Sequence, residues 1–352
     1  MIRTLRVTAC AVMCCLLLCM HGAAEAAQYQ ASVIPTAPDE VFAIAESIGS
    51  TGTVFGSYGN PCTGHFLWSQ AGGLVDLTTE IEYCGAPNAS GQVVGGGMAE
   101  YNRSFAAVRE ANGSIRHLAY LNPSDTWAGA LAISDGGLVI GGSGNESSSY
   151  IVLWDLSTGS VTQIAEGENG ELYGTLGSAA ISSTGYTAWT YITNRRYPDG
   201  HTAAIPRSFR RSPSGDISEL IAAAGTGWFV KDVGANGAVV VGGSLWETDG
   251  TFTPRGLDGL SAMSDNGLLL GTLGDHQVVL GTDGSLSDLP LPAGATSFNA
   301  LDINDRGEVV GWAAYADGDK AVLWQAVPEP SAFLVLAGGV VGILVRAKKR
   351  RR

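Results

Sequence analysis

The side chains able to carry chemistry are few and dispersed in this 352-residue sequence. His65, His117, His201 and His276 fall at different points of the local pattern, whereas a catalytic set would need them in comparable loops; bland surface or interior roles are expected. Gly141-Gly-Ser-Gly144 lacks the spacing of a nucleophile elbow and reads as a turn after a strand. Asp302-Ile-Asn-Asp-Arg-Gly307 is rich in oxygen donors but lacks the glutamate that closes a calcium loop, and other copies of the same stretch need only a hairpin. Phosphate loops and paired zinc-type histidines are absent as intact patterns. Trp68, Trp154 and Trp324 share one repeat position, which points to core packing. Trp127, Trp189, Trp228, Trp246 and Trp312 lie elsewhere, and a few of these could face a ligand groove. The sequence therefore predicts no catalytic residue, no metal and no cofactor.

The elements that position these residues are repeats. The end of the chain shows one unit clearly: Leu301 and Ile303, a turn at Asn304-Asp-Arg-Gly307, a strand at Glu308-Val-Val-Gly311, and another at Ala321-Val-Leu-Trp324. The turn-and-strand element recurs from Gly52, Gly91, Gly137, Gly185, Gly237, Gly267 and Gly307, at spacings of 39, 46, 48, 52, 30 and 40 residues. The fourth copy has Trp189 in place of its second glycine, and the fifth has an extra residue. A second hairpin follows most copies, turning at Gly73, Gly113, Gly159, Gly215 and Gly284. Asp-Gly and Asn-Gly pairs supply the positive φ of tight turns. Each unit thus holds four short strands in about 40–50 residues without helical periodicity, the arithmetic of a β-propeller blade. Seven blades are predicted, the fifth (about 226–259) short or irregular, with a protruding loop near 191–207. The last unit has no fourth strand, and Gln28–Ile34 has no unit of its own. That segment is predicted to complete the final blade and hide two sheet edges.

The units also resemble the HAF repeats of bacterial extracellular proteins. The resemblance rests on Gly64-His-Phe-Leu-Trp68, Gly200-His-Thr-Ala203 and the Leu301–Gly311 pattern, and it covers about 41–325 in degenerate form. It implies architecture and little chemistry.

The two ends carry address labels. Residues 1–26 read as a secretory signal peptide: Arg3 and Arg6, an apolar run from Val7 to Met20, and small residues at Ala24 and Ala26. Retention of that run as an anchor, or lipidation at Cys10 or Cys19, are the rival readings. The body, 27–326, keeps Cys62 and Cys84, expected to form one disulfide in an oxidising compartment, worth about 3 kcal/mol on the chain-entropy estimate; two cysteines and four scattered histidines fall short of a zinc site. Residues 327–352 comprise Val327-Pro328-Glu329-Pro330, an uncharged run Ser331–Val345, and a basic stop of Arg346, Lys348, Lys349, Arg350, Arg351 and Arg352. This arrangement resembles the PEP-CTERM sorting signal of Gram-negative bacteria. The resemblance implies an exosortase that cuts at or near the motif, and transient residence in the inner membrane. The run is slightly short for a bilayer, a gap that long basic side chains can bridge, and the cations hold the tail on the cytoplasmic side.

With both ends set aside, 12 Lys and Arg face 31 Asp and Glu, a formal charge of −19. Such a body repels nucleic acid and anionic surfaces. The expected partners are signal peptidase and exosortase during export, and afterwards a polysaccharide or surface protein. The leading expectation is a non-catalytic envelope or matrix protein. A secreted glycan hydrolase or lyase and a permanently tethered periplasmic scaffold are the alternatives.

Overall fold

A computed structural model describes residues 28–36, 41–59, 64–77, 83–98, 103–166, 175–196, 199, 202–220 and 229–327. The expected signal peptide, Cys62, His201, Pro328-Glu-Pro330, the basic stop and the expected C-terminal helix lie outside the described residues; of Cys84 only the backbone is described, paired with Gly95. Among the described residues no helix is long and apolar enough to cross a membrane.

The repeats fold as seven four-stranded antiparallel sheets, the blades of a β-propeller, at residues 43–76, 83–117, 127–166, 175–219, 230–253, 259–288 and 297–327. In blades 1 to 6 the strands follow in chain order from the axis outward. Blade 7 takes Ser297–Ile303, Val309–Tyr315 and Gly318–Val327 from the end of the chain, and its outermost strand is Gln28–Val33. The register runs from Gln28 opposite Val327 to Val33 opposite Val322. The predicted closure is therefore observed. Blade 1 is sewn to the same seam: the Ile34 N–H donates to the Ala321 carbonyl at 2.8 Å, and Phe42 bridges Asp319. Ile34, Ala43, Ile48, Phe66, Val310 and Leu323 bury one apolar cluster across it.

The two glycines of each unit answer different needs. The first has positive φ, as at Gly137 (79°) and Gly307 (71°), and its N–H closes the turn onto the carbonyl three residues earlier. The second faces a bulge. In blades 1, 3, 6 and 7 the inner strand carries an extra residue, at Glu46, Leu131, Ser261 and Leu301. Beside these bulges sit Gly56, Gly141, Gly271 and Gly311, where a Cβ would run into the backbone carbonyls of Ile44, Gly129, Gly259 and Asn299. Blade 4 holds Trp189 at that position, and its bulge has moved earlier in the strand, to Gly177. Blade 5 keeps a bulge at Lys231 opposite Val241, the last residue of a three-residue strand where the chain turns at Gly242 and Gly243.

Three expectations are corrected. Gly141-Gly-Ser-Gly144 is strand rather than turn, its small residues making room for the Trp127 ring above Gly142 and Gly144. The insertion near 191–207 is a long hairpin rather than a loop, Thr187–Arg196 paired through to Thr202–Arg211. Trp246 belongs with Trp68, Trp154 and Trp324, for it pairs with Val239 as they pair with Val54, Val139 and Val309. The short strands of blade 5 compress the spacing and hide the equivalence. Trp154 and Trp324 are buried, and their indole N–H groups donate to the carbonyls of Ala119 and Pro290 at 2.7 and 2.9 Å. Each pins the link between two blades.

Gly311→Ala is expected to cost about 2–4 kcal/mol in urea unfolding, because backbone must shift to admit the methyl group. Gly129→Ala, whose Cβ would meet open space, is expected to stay within about 0.5 kcal/mol. Deletion of residues 28–33 bares the Gly318–Val327 edge, and size-exclusion chromatography is expected to show association absent from the complete ring.

Candidate functional site

The inner strands enclose an axial cavity of about 620 Å³. Three tiers of side chains from equivalent positions line it. The bulge residues come first, among them Glu46, Leu131, Lys231 and Leu301. One residue further along lie Ser47, Ala132, Ala180, Asp232, Ala262 and Asp302. The turns at the end of the inner strands add Ser50, Asp135, Ser183, Asp265 and Asp305. The bulges of blades 1, 3, 5, 6 and 7 thus serve the site, each adding one side chain to its lining.

The carboxylates have specific partners. Asp302 accepts from the Ile303 N–H and, across the closure seam, from the Ile48 N–H of blade 1, both at 2.8 Å. Asp232 repeats this from blade 5 to blade 6, accepting from Val233 N–H at 2.8 Å and Met263 N–H at 3.1 Å. Both retain some surface toward the cavity, yet both lie deep in the molecule. Burial pushes the Asp302 carboxyl up to about 6 despite its two N–H donors. Burial, and then the neighbouring Asp302 charge, raise Asp232 well above the carboxylate range. Glu46 accepts from the Ser57 hydroxyl at 2.5 Å.

The turn tier is laced from blade to blade. Asp135 accepts from the Ser50 hydroxyl at 3.0 Å and the Ala89 N–H at 2.5 Å. Asp265 accepts from the Ser183 N–H at 2.9 Å, and Asp305 from the Asn266 N–H at 2.8 Å. Burial raises Asp265 as well. The oxygen-rich stretch beginning at Asp302 is built into this lacing: Asn304 Oδ1 accepts from the N–H groups of Arg306 and Glu308, and its Nδ2 donates to the Gly49 carbonyl. Among the described residues no group of three or more metal-type side chains is placed to hold an ion.

Three histidines are described, each on a different blade. His65 stacks on Phe55 in blade 1 and His117 on Phe105 in blade 2, at 5.5 and 4.2 Å between centroids, while His276 lies 3.8 Å from Asp288 on blade 6. Ser143 donates to the buried Asp125 at 2.7 Å and accepts from the Leu121 N–H. A second cavity of about 200 Å³ lies between blades 3 and 4, where Trp189, Tyr191 and Phe209 meet Ile151. Arg207 beside it is held by two bonds to Glu219, at 2.8 and 3.0 Å. Glu46, Lys231 and Asp232 carry no signal as single residues, because most equivalent positions in the other blades hold Leu, Ala or Ser. Only the bulge register brings them together.

Residues 326–351 match the PEP-CTERM protein-sorting motif, which implies export to the cell envelope or surface. A streptogramin B lyase structure matches with a TM-score of 0.51 at 10% identity, over 85% of this chain and 98% of that one. The β-propeller domain of the trilobed protease from Pyrococcus furiosus, described as having an open velcro topology, matches with a TM-score of 0.50 at 10% identity, over 80% and 95%. At such identity the likeness is one of fold alone. No curated protein matches the sequence.

The raised Asp302 pKa sets a sign. The native carboxyl holds its proton between about pH 4 and 6 where the unfolded one has lost it, so its contribution falls as pH rises through that window. Asp232, Asp265, Glu46 and Lys231 share the cavity and add to its field. Asp302→Asn removes the charge but can accept only one of the two N–H bonds. The melting temperature of the variant minus that of the parent is therefore expected to be negative near pH 5 and to rise toward pH 7.5.

Proposed function

We propose that this is an exported, exosortase-sorted protein of the cell envelope or extracellular matrix, whose propeller binds a polysaccharide or a surface protein without transforming it. One observation carries the reading: the sorting motif match begins at 326, inside the strand that closes the ring. The sorted unit is then the propeller itself, delivered whole. A leader at 1–26, transient anchoring through 331–345 and a Cys62–Cys84 disulfide belong to this proposal. The axial cavity of about 620 Å³, lined by Glu46, Lys231, Asp232 and Asp302 among others, supports the binding role.

A second reading is favoured by the same tier. Two interacting buried carboxyls, with Lys231 nearby, are the kind of groups a glycan hydrolase or lyase uses as acid and base. The experiment is recovery of the protein from surface and inner-membrane fractions of its host, with intact mass, followed by incubation with the host's own extracellular polysaccharide. A C-terminus near Val327 outside the inner membrane, with polysaccharide retained and unshortened, is the expected result. A full-length tail confined to the inner membrane would point to a tethered scaffold. New chain ends in the polysaccharide, abolished by Asp302→Asn, would establish the enzyme.

A further inference from the structure

Both described ends of the chain leave the propeller at one place. Gln28 pairs with Val327, and this pair lies past the level of the inner turns: Trp324 is the residue opposite Val309, and three more residues of the same strand follow. The Tyr29 hydroxyl lies beside the turn glycine Gly307, and Gln325 donates to Glu308 of that turn at 3.0 Å. The exit is thus on the face that carries all seven inner turns and the outer hairpin turns at Gly113, Gly159, Gly215, Gly250 and Gly284. The opposite face carries the blade-to-blade links and the long hairpin of blade 4.

From Val327 to the first residue of the uncharged run, Ser331, there are only Pro328, Glu329 and Pro330. Four extended steps span at most about 14 Å. Two of those three residues are proline, whose ring fixes φ.

We infer that, while the tail resides in the bilayer, the propeller stands with its turn face toward the lipid headgroups and offers the opposite face, with the blade 4 hairpin, to its partners. The inference rests on the tethering described under the proposed function. The charges of the turn face set its distance from the lipid; the tether alone sets the orientation. Asp155, Asp249 and Asp283 are held below the usual carboxylate range, each by bonds from a serine or threonine two residues on, and Asp216 likewise by Ser214 and Ser212. They stay ionised and oppose adhesion to an anionic bilayer. The face is held near the membrane by its strand and kept off it by its charge.

The test uses the chain with its complete tail in vesicles of phosphatidylcholine and phosphatidylglycerol carrying a headgroup-linked quencher. A dye is placed at Thr282→Cys, in the outer turn of blade 6, or at Asp275→Cys, at the other end of the same strand pair; both positions are exposed. The expected result is co-flotation with the vesicles and quenching at least twofold stronger at 282 than at 275. Equal or reversed quenching in chains that float overturns the orientation while leaving the tether standing. Chains that do not float overturn the tether and the orientation with it. Unchanged melting of each labelled protein relative to the parent shows that the difference reflects position.

Discussion

Six residues near the start of the chain, Gln28–Val33, decide whether the other blades form a ring. A propeller blade buries one side against each neighbour, so an open array leaves two apolar flanks and two bare edges. The antiparallel pairing with Gly318–Val327 removes both edges at once and places Ile34 in the cluster shared by blades 7 and 1. The Asp302 bond to the Ile48 N–H crosses the same seam from the cavity side. Closure of the sheet and shape of the cavity are thus set by one strand pairing.

The cavity itself is a product of backbone irregularity. In a regular inner strand, side chains alternate between the two flanks of the blade, and little reaches the axis. A bulge breaks the alternation and re-aims a side chain. In blades 1, 3, 6 and 7 the residue beside it is a glycine, the second of two with unlike conformations, whereas blade 5 makes the same break beside Val241. Blade 4 shows the alternative solution. With Trp189 in place, the bulge moves to Gly177 and the tryptophan stacks on Phe209, walling a separate lateral cavity.

Much of this architecture was legible in the sequence because turns and alternation are local. The positive-φ glycines, the four strands per unit and the orphan strand at 28–34 were each readable from spacing. The site was not. Asp232 and Asp302 are single residues at positions where the other blades carry alanine or serine, and nothing local distinguishes them from surface aspartates. Their proximity depends on bulge register and ring geometry, which are long-range. The grouping of Trp246 is hidden for a related reason: its blade is foreshortened, so its spacing from the turn glycine differs from that of Trp68, Trp154 and Trp324. The stretch near 191–207 looks like a protruding loop in sequence because its polar and charged residues mask the continuous ladder of the 187–211 hairpin.

The strand Gly318–Val327 has a mechanical consequence. It is flanked on both sides by antiparallel partners, Val309–Tyr315 and Gln28–Val33, and it leads directly to the tail. A load applied between an anchored tail and a partner held by the ring runs along this strand and shears two ladders of hydrogen bonds in parallel. The bonds then yield together rather than one by one. A load applied between the two chain ends would instead peel the first pair, Gln28 and Val327, and unzip the blade in sequence. The same closure is therefore strong against drag on a tethered molecule and weak against separation of its own ends.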